Sequence, residues 1–405
     1  MRRSPATFAA VAAACAASVW FVARSLQQDF AAYWIAGTAR RLGLDPYVNQ
    51  VAGASAPALW DGVAVFQHSR FLYPPLIADL FRPLAALPYP TAKGLFTAAM
   101  LAAWIAAGML LSDERRGRTV FFLASALFFP FYRHLERGQI DLLILLLLAL
   151  AWRGRARPAV AGAALAAAIA FKPTLAGLVP VVWAGGRGKV ALAALGAGVL
   201  LLGLAAVVDG PARLVEYARE VLPRAALYGE GGTEEMLLPP ERLPAAADDG
   251  TARLGDRRYR IAIGDAPAAA SLPRLLAPEA PTPASARLPF VLGIGALTLL
   301  ARRLRRPEGD DAATLLYWAA AVACVVTSPT GWVMGLVLAL PLAPLGAALA
   351  ADQRLPRGPA LAGALAWVAL ALPAPFAGFP ALAGAALIAA AVATARDLHP
   401  RARAT

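Results

Sequence analysis

Apolar runs of about twenty residues recur from one end of this chain to the other, and they limit its possible folds more than any other feature. Hydrophobic residues make up 59% of the chain, whereas charged residues make up only 16%. Because lipid cannot hydrogen-bond to an unpaired backbone group, such runs cross a bilayer as α-helices. The sequence therefore predicts an all-α, polytopic membrane helix bundle that forms a single domain over residues 1–405.

The positive charge of the chain gives the expected orientation of these helices. The net charge is +13, and much of it falls in short arginine-rich loops such as 115–118, 153–157 and 302–306. In a soluble protein this charge would suggest nucleic acid, but short basic loops between apolar runs mark the cytoplasmic side of a membrane. We therefore expect no nucleic-acid partner, both termini in the cytoplasm and about twelve spans of the plasma (inner) membrane. The predicted spans are 6–24, 91–111, 118–132, 140–152, 158–171, 174–184, 190–208, 287–301, 312–326, 332–349, 359–373 and 378–395.

This alternation leaves residues 25–90 as a first long extracytoplasmic segment with juxtamembrane helices. Residues 29–42 can form a helix whose aromatic face suits the bilayer interface, with arginines facing water or phosphate. The aromatic face carries Phe30, Tyr33 and Trp34 beside Gly37, and the arginines are Arg40 and Arg41. Residues 71–90 are rich in proline and read as a second surface or partly embedded helix. The alternative is that 71–90 crosses the bilayer, which would break the charge alternation.

Residues 209–286 form a second extracytoplasmic segment, which is net acidic. The spacing of apolar residues over 213–222 predicts an amphipathic helix. Too few apolar residues are present for the segment to form a core of its own. It is therefore expected to be a small cap that acts as a lid or positions an acceptor.

Polar residues cluster where the predicted spans meet the extracytoplasmic side. Asp29 directly follows the first span, and from the local sequence it is equally well a reactive carboxylate or a helix cap. Three polar turns, 133–141, 170–173 and 327–332, are expected to face the same compartment. Each turn alone could be an interfacial turn with a snorkelling cation. No residue spacing typical of a metal site is present.

Several short motifs occur in a particular order along the chain. They are Asp29-Phe30 with Tyr33, Gly43-x-Asp45-Pro46-Tyr47, Tyr73-Pro74-Pro75, Gly138-Gln139, Lys172-Pro173 and Ser328-Pro329 with Trp332. In this order they resemble glycosyltransferase family 87, whose members are integral membrane enzymes of the GT-C type similar to polyprenyl-phosphate-mannose-dependent α-mannosyltransferases. The resemblance covers about residues 1–345, without the acidic outer segment. The family often has a histidine after the last motif, where this chain has Val333-Met334-Gly335.

The resemblance implies a GT-C fold and an inverting transfer of a hexose, mannose in the first instance. The donor would be a polyprenyl-phosphate sugar, which is a co-substrate rather than a cofactor, and the acceptor a glycolipid or glycan of the cell envelope on the extracytoplasmic face. Neither a cofactor nor a metal is expected. By the same resemblance, Asp29 would be the general base. The residues implied to bind the donor phosphate are Lys172 and Arg137, with His134 and Gln139 in reserve. Those implied to bind substrate are Tyr33, Asp45, Tyr47, Tyr73 and Trp332.

Other interpretations stay open from the residues alone. A secondary transporter or lipid flippase is also a many-helix bundle with a few buried charges, and a non-catalytic scaffold of the cell envelope is a third possibility. Transporters are commonly built from repeated halves, whereas the long insertion after the seventh predicted span has no matching half, which favours an enzyme. If Asp29 is only a cap, the base would be Asp45, Asp61 or a residue of the acidic outer segment.

Overall fold

A computed structural model describes residues 5–47, 71–112, 115–223, 251–254, 257–260, 270–276, 283–305, 310–373 and 378–401. The α-helices, in chain order, are α1 Pro5–Arg24, α2 Gln28–Arg41, α3 Pro75–Phe81, α4 Tyr89–Leu111, α5 Arg115–Ala126, α6 Phe129–Arg137, α7 Asp141–Arg153, α8 Pro158–Phe171, α9 Leu178–Ala184, α10 Gly188–Asp209, α11 Pro211–Glu216, α12 Leu272–Leu276, α13 Pro283–Arg303, α14 Asp310–Val326, α15 Leu342–Ala351, α16 Arg357–Ala371 and α17 Phe379–Arg401. Short 3-10 helices occupy Leu84–Ala86, Pro173–Gly177 and Val333–Ala339, and Tyr217–Val221 is a π-helical turn.

The length and apolar composition of these helices are those of a membrane protein. Five helical segments among the described residues are long and apolar enough to cross a membrane. They are Pro5–Arg24, Tyr89–Leu111, Gly188–Asp209, Val333–Ala351 and Phe379–Leu398. Shorter apolar helical segments, such as Pro158–Phe171 and Arg357–Ala371, accompany them. The architecture is thus a membrane helical one, whereas the number of twelve spans stays a prediction.

One predicted span, 118–132, is in fact two helices. Helix α5 ends at Ala126, and α6 begins at Phe129 after Phe128, whose backbone is extended. Pro130 lies in the first turn of α6, where its missing N–H leaves no hydrogen bond unmade. In the interior of one continuous helix the same proline would remove a hydrogen bond and clash with the preceding turn. The break frees α6 to take its own direction, and its last residues reach the candidate site described below.

The aromatic face of α2 is covered by protein instead of by the bilayer interface. The sequence predicts a helix lying in the bilayer interface, but Phe30 and Tyr33 are fully buried and Trp34 nearly so. A close contact shows how tightly α2 is packed, because a Cβ on Gly37 would lie only 2.8 Å from the carbonyl oxygen of Phe81. The interfacial prediction is therefore wrong, and α2 is part of the protein core.

The two arginines at the end of α2 also have protein partners, although Arg41 is itself exposed. Arg40 donates to Asp79 of α3 at 3.1 Å and pairs with Asp209 at the end of α10. Arg41 donates to the carbonyl oxygen of Ala85 at 2.6 Å. These bonds attach α2 to the proline-rich stretch that follows in the chain.

That stretch, 71–90, contains only short helices. Helix α3 has seven residues, about 10 Å, which is too short to cross a bilayer. It is followed by the 3-10 helix Leu84–Ala86 and then by α4. Of the two alternatives for this stretch, the structure supports a short helix that leads into the next span.

The acidic outer segment is described only in part. The predicted helix over 213–222 corresponds to α11 and the π-helical turn after it. Strands β1 (Thr251–Leu254) and β2 (Arg257–Arg260) form a short antiparallel hairpin, and the other regular elements of the described residues are helical. Residues 224–250, 255–256, 261–269 and 277–282, together with the proposed alternative base Asp61, lie outside the described residues.

Helix direction brings the polar turns to one end of the bundle. Helix α7 begins at Asp141, directly after the turn that ends α6, and packs against α8, which ends beside Lys172. Because neighbouring antiparallel helices share their turns at common ends, the start of α7 and the end of α8 meet at the same level. Helix α14 ends at Val326, and the turn 327–332 follows it toward the same end.

Candidate functional site

The buried carboxylate of Asp29 is the centre of the candidate site. Arg137 donates to it through Nε, 3.1 Å from Oδ2, and through Nη2, 3.3 Å from Oδ1. Gln139 donates from Nε2 to Oδ2 at 2.8 Å. Arg137 also donates to the amide oxygen of Gln28. Two-point binding of a carboxylate by a guanidinium fixes its plane as well as its position, so Asp29 is held in one orientation.

Two unusual backbone conformations make this approach possible. Gln27, the N-cap residue of α2, has φ 54°, and Gly138, the residue that ends α6, has φ 70°. A Cβ on Gly138 would lie 2.8 Å from Cβ of Phe30 and 2.9 Å from Cβ of Gln27. Only glycine takes this conformation at this distance without strain, and the end of α6 can therefore lie against the start of α2.

Side-chain bonds tie the same two chain segments together. Gln27 donates from Nε2 to the carbonyl oxygen of Leu135 at 2.9 Å, and Ser25 donates to that of Glu136 at 2.7 Å. Gln27 is the N-cap residue and makes no side-chain cap bond, so Asp29 does not occupy the N-cap position. The carboxylate is directed toward α6 and the residue after it, and the simple cap interpretation does not describe its contacts.

Two tyrosines orient the amide of Gln139. The hydroxyls of Tyr33 and Tyr73 lie 2.5 Å apart, and both lie near Oε1 of Gln139, at 3.1 and 3.4 Å. Since Oε1 accepts from the tyrosines, the NH₂ group of the same amide points to Asp29. Burial raises the pKa of Tyr73, which keeps its hydroxyl as a donor at neutral pH.

A second carboxylate and a second cation lie across the site. Lys172, in the turn after α8, donates to Oδ1 of Asp141 at 2.7 Å. Asp141 is 1% exposed, and its Oδ2 has no hydrogen-bond partner among the described residues. The Lys172 side chain is 21% exposed. A lysine has three donors, of which this pair takes one, so Lys172 can also bind an anion.

These groups line one cavity of about 130 Å³. The polar and charged side chains in its lining are Asp29, Tyr33, Tyr73, Arg137, Gln139, Asp141, Lys172, Thr174, Tyr217 and Thr330. The apolar ones include Leu72, Phe171, Leu222, Trp332 and Met334. The cavity is therefore rich in charge and aromatic surface together, which suits a polar ring carrying an anionic group.

The structure brings Asp29, Arg137 and Lys172 to a common cavity, as the sequence predicts. Arg137 does not lie across the cavity from Asp29, because it is bonded directly to that carboxylate. Arg137 thus has a carboxylate partner and positions Asp29. Lys172 is the cation on the other side of the cavity, and its own partner is Asp141.

Three other predicted residues lie behind the cavity wall. His134 is buried, and its Nε2 accepts the backbone N–H of Leu142 at 3.2 Å. Burial lowers the pKa of His134 to about 4, so the ring is neutral and cannot supply positive charge to a phosphate at neutral pH. Asp45 accepts the backbone N–H of Tyr47 at 2.8 Å, and Tyr47 donates to the carbonyl oxygen of Tyr73 at 2.7 Å. Asp45 and Tyr47 thus stabilise the segment that carries Tyr73.

Two residues of the lining, Asp141 and Tyr217, make contacts in the site but were not predicted to belong to it. Asp141 opens a leucine-rich helix, and a carboxylate at the start of such an apolar run is the signal that could have identified it as a site residue. Tyr217, whose hydroxyl donates to the carbonyl oxygen of Leu72 at 3.3 Å, carried no comparable signal. It belongs to the acidic outer segment, so the start of this segment contributes to the cavity.

Within the part of the chain that the structure describes, no group of three His, Cys, Asp or Glu side chains could hold a metal ion. Metal-free chemistry therefore stays a prediction of the sequence. The two carboxylates of the cavity, Asp29 and Asp141, each form an ion pair with a cationic side chain.

Comparison with known protein families gives a match in the central part of the chain. Residues 71–237 match the model of glycosyltransferase family 87. This range contains Tyr73, Arg137, Gln139 and Lys172, while Asp29 lies before it. Neither the curated proteins nor the solved structures gave a match. Residues 71–237 thus match glycosyltransferase family 87, the family that the motifs indicated. This match indicates a membrane-embedded glycosyltransferase.

Proposed function

We propose that this protein transfers a hexose, mannose in the first instance, from a polyprenyl-phosphate donor to a glycolipid or glycan acceptor, with inversion. The observation that carries the proposal is the cavity in which a positioned carboxylate, Asp29, and a partly exposed ammonium, Lys172, face the same space. Sugar transfer from a phosphate needs these two charges, one to accept a proton and one to receive the leaving phosphate.

In the proposed step, the oxygen of an acceptor hydroxyl forms a bond to the anomeric carbon while the bond from that carbon to the donor phosphate breaks. The hydroxyl proton goes to Asp29, and the phosphate leaves with the electron pair of the broken bond. One displacement inverts the anomeric centre, so a β-linked donor gives an α-linked product. General base catalysis of this kind contributes about 10²–10⁴-fold.

The contacts distribute the supporting roles. Arg137 and Gln139 hold the plane of the Asp29 carboxylate, so that one geometry is presented to the acceptor. Asp141 holds Lys172, which is the principal candidate for binding the donor phosphate. This revises the predicted role of Arg137, because its guanidinium is buried and bonded to both Asp29 and Gln28, whereas the Lys172 side chain is 21% exposed.

Aromatic and polar side chains of the lining would bind the sugars. Tyr33, Tyr73 and Trp332 offer ring faces and hydroxyls to a hexose, and Tyr217 would contribute to the side from which the acceptor enters. A role of the acidic outer segment in positioning the acceptor is consistent with this contact. The donor is a co-substrate, and no cofactor is part of the proposal.

We place the cavity on the extracytoplasmic face of the plasma membrane, with both termini in the cytoplasm. Helix α7 begins at Asp141 in the cavity and ends at Arg153, the first residue of a basic loop. Basic loops favour the cytoplasmic side, so the opposite end of the helix would face outside. Impermeant thiol labelling of single cysteines at positions 155 and 250 tests this orientation, because labelling of both from one side overturns it.

The reaction is tested with the full chain in vesicles, radiolabelled polyprenyl-phosphate mannose and a cell-envelope lipid extract as acceptor. We expect Asp29→Asn to lower product formation by about 10²–10⁴-fold while donor binding survives. Lys172→Met should lower donor binding and turnover together. Asp311→Asn, a change in an exposed ion pair outside the cavity lining, is the matched control and should leave transfer unchanged.

Two results would overturn parts of the proposal separately. Near-normal transfer by folded Asp29→Asn would show that Asp29 is not the base. If transfer is then lost in Asp141→Asn, the other carboxylate of the cavity is the base. Absence of product from any polyprenyl-phosphate sugar, with nucleotide sugars consumed instead, would refute the donor class.

A further inference from the structure

A second, larger cavity of about 680 Å³ lies outside the candidate site. It is formed by the C-terminal end of α7, the loops after α7 and α9, the end of α13 and the first half of α14. Its lining includes the aromatic residues Trp152 and Tyr317, the arginines Arg155, Arg187 and Arg305, and several aliphatic residues.

The two cavities lie at opposite ends of the same helices. Asp141 opens α7 in the first cavity, and Trp152 lies eleven residues later in the second. At 1.5 Å per residue this separates them by roughly 16 Å along the helix axis. The second cavity therefore opens among the basic loops, at the other end of the bundle from Asp29 and Lys172.

Positive charge is concentrated in this second cavity. Three guanidinium groups line it, and no carboxylate is among its lining residues in the part of the chain that the structure describes. Burial, together with the nearby charge of Arg155, lowers the pKa of Arg187 to about 10. Holding these cations together thus costs free energy that a bound anion would offset.

The arginines are arranged around an aromatic platform. The guanidinium carbon of Arg187 lies 4.3 Å from the ring centroid of Trp152, and that of Arg155 lies 5.1 Å from it. The Trp152 ring is itself stacked on Tyr317, with centroids 4.6 Å apart. Stacking holds a guanidinium by its flat face, and a guanidinium carries five N–H donors, of which Arg155 gives one to the carbonyl oxygen of Trp152 at 2.9 Å.

We propose that this cavity binds the phosphate of an anionic phospholipid from the leaflet that faces the basic loops. Guanidinium edges match the oxygens of a phosphate or a carboxylate through paired N–H bonds, and a phospholipid presents such a phosphate at the membrane surface. The remaining wall is aliphatic, with Val181, Leu304 and Leu316 among its residues, and offers acyl chains a surface that a free phosphate would not use.

Binding is tested with the full chain in nanodiscs that contain either phosphatidylglycerol or only phosphatidylcholine, followed by native mass spectrometry. We expect retained phosphatidylglycerol on the wild type, and at least about a tenfold loss of retention for the double variant Arg155→Gln/Arg187→Gln. Arg305→Gln changes an exposed lining residue, so it should fold normally and still reduce retention. Arg302→Gln, an exposed arginine of the same helix end outside the lining, is the matched control and should retain lipid.

A separate arm uses inorganic phosphate at millimolar concentration in phosphatidylcholine nanodiscs. Saturable binding of phosphate with no preference for phosphatidylglycerol would overturn the lipid assignment and leave an anion site for a free phosphate. Equal lipid retention by the wild type, the double variant and Arg305→Gln would overturn the site itself. Neither result depends on sugar transfer, so failure here is distinguishable from failure of the proposed reaction.

Discussion

The pair formed by Lys172 and Asp141 allows a quantitative test of how the candidate site is held together. Lys172→Met removes the cation and keeps most of the side-chain volume. It leaves a carboxylate that is 1% exposed without its partner at 2.7 Å, and the other oxygen of that carboxylate already has no partner among the described residues. The prediction is therefore a loss of folding stability as well as of donor binding.

The expected size follows from the burial of the two partners. Removing one member of a fully buried ion pair costs about 3–5 kcal/mol, because the remaining charge is left uncompensated. Here the Lys172 side chain is 21% exposed, so water can reach the vacated position and screen part of the charge. We therefore expect a loss of about 2–3 kcal/mol for Lys172→Met. The double variant Lys172→Met/Asp141→Leu removes both charges and should recover most of that loss.

The assay is a double-mutant cycle on unfolding of the purified protein in mixed micelles, with each single variant and the double variant. The coupling energy of the pair should be about 2 kcal/mol. The matched control is the pair Arg354–Asp311, whose side chains are 46% and 38% exposed and whose coupling should be below about 1 kcal/mol. A Lys172–Asp141 coupling no larger than that of the control would refute the reasoning.

Two further predictions concern the elements beside the cavity. Gly138→Ala should destabilise the protein by about 2 kcal/mol or more in thermal unfolding, because φ is 70° and the new Cβ would meet Cβ of Phe30 at 2.8 Å. Gly43→Ala is its control, since φ is 73° but no atom lies within 4 Å of the new Cβ. This control should lose only about 1 kcal/mol of stability. Equal losses in the two variants would contradict the packing argument. Burial lowers the pKa of His134 from 6.5 to about 4 in the folded protein. Between these pH values the unfolded state therefore binds more protons than the folded state does. Stability should therefore fall as pH decreases from 6.5 to 4, by up to about 3 kcal/mol, and His134→Gln should lose this part of the pH dependence.

The helical architecture and the family could be predicted because both depend on local sequence. Apolar runs define helices wherever they occur, and predicted spans such as 158–171 agree with the helix in the structure. The break before α6 was not predicted, since the run 118–132 is mostly apolar after Arg118 and Thr119, and only Pro130 marks the new start. The short motifs indicated family 87, and the match over 71–237 confirms it.

The location of the candidate site could also be predicted in part. Asp29 and Lys172 each lie next to an apolar run, and the alternation of spans places both on one side. Their partners could not be predicted in this way. Arg137 lies 108 residues from Asp29 in sequence, and Asp141 lies 31 residues from Lys172. Only the packing of α6 against α2, and of α7 against α8, decides which charges meet.

The sequence by itself thus indicated a membrane helix bundle with acidic and basic residues at helix ends, in which residues 71–237 match a glycosyltransferase family. The tertiary structure alone decided that the aromatic face of α2 is buried, although the same pattern of Phe30, Tyr33 and Trp34 suits a bilayer interface equally well. The physical reason is that periodicity shows which side of a helix avoids water but not whether lipid or protein covers that side. The partners of Arg137 and Lys172 likewise became known only from the tertiary structure, because the packing of helices decides which carboxylate lies beside each cation.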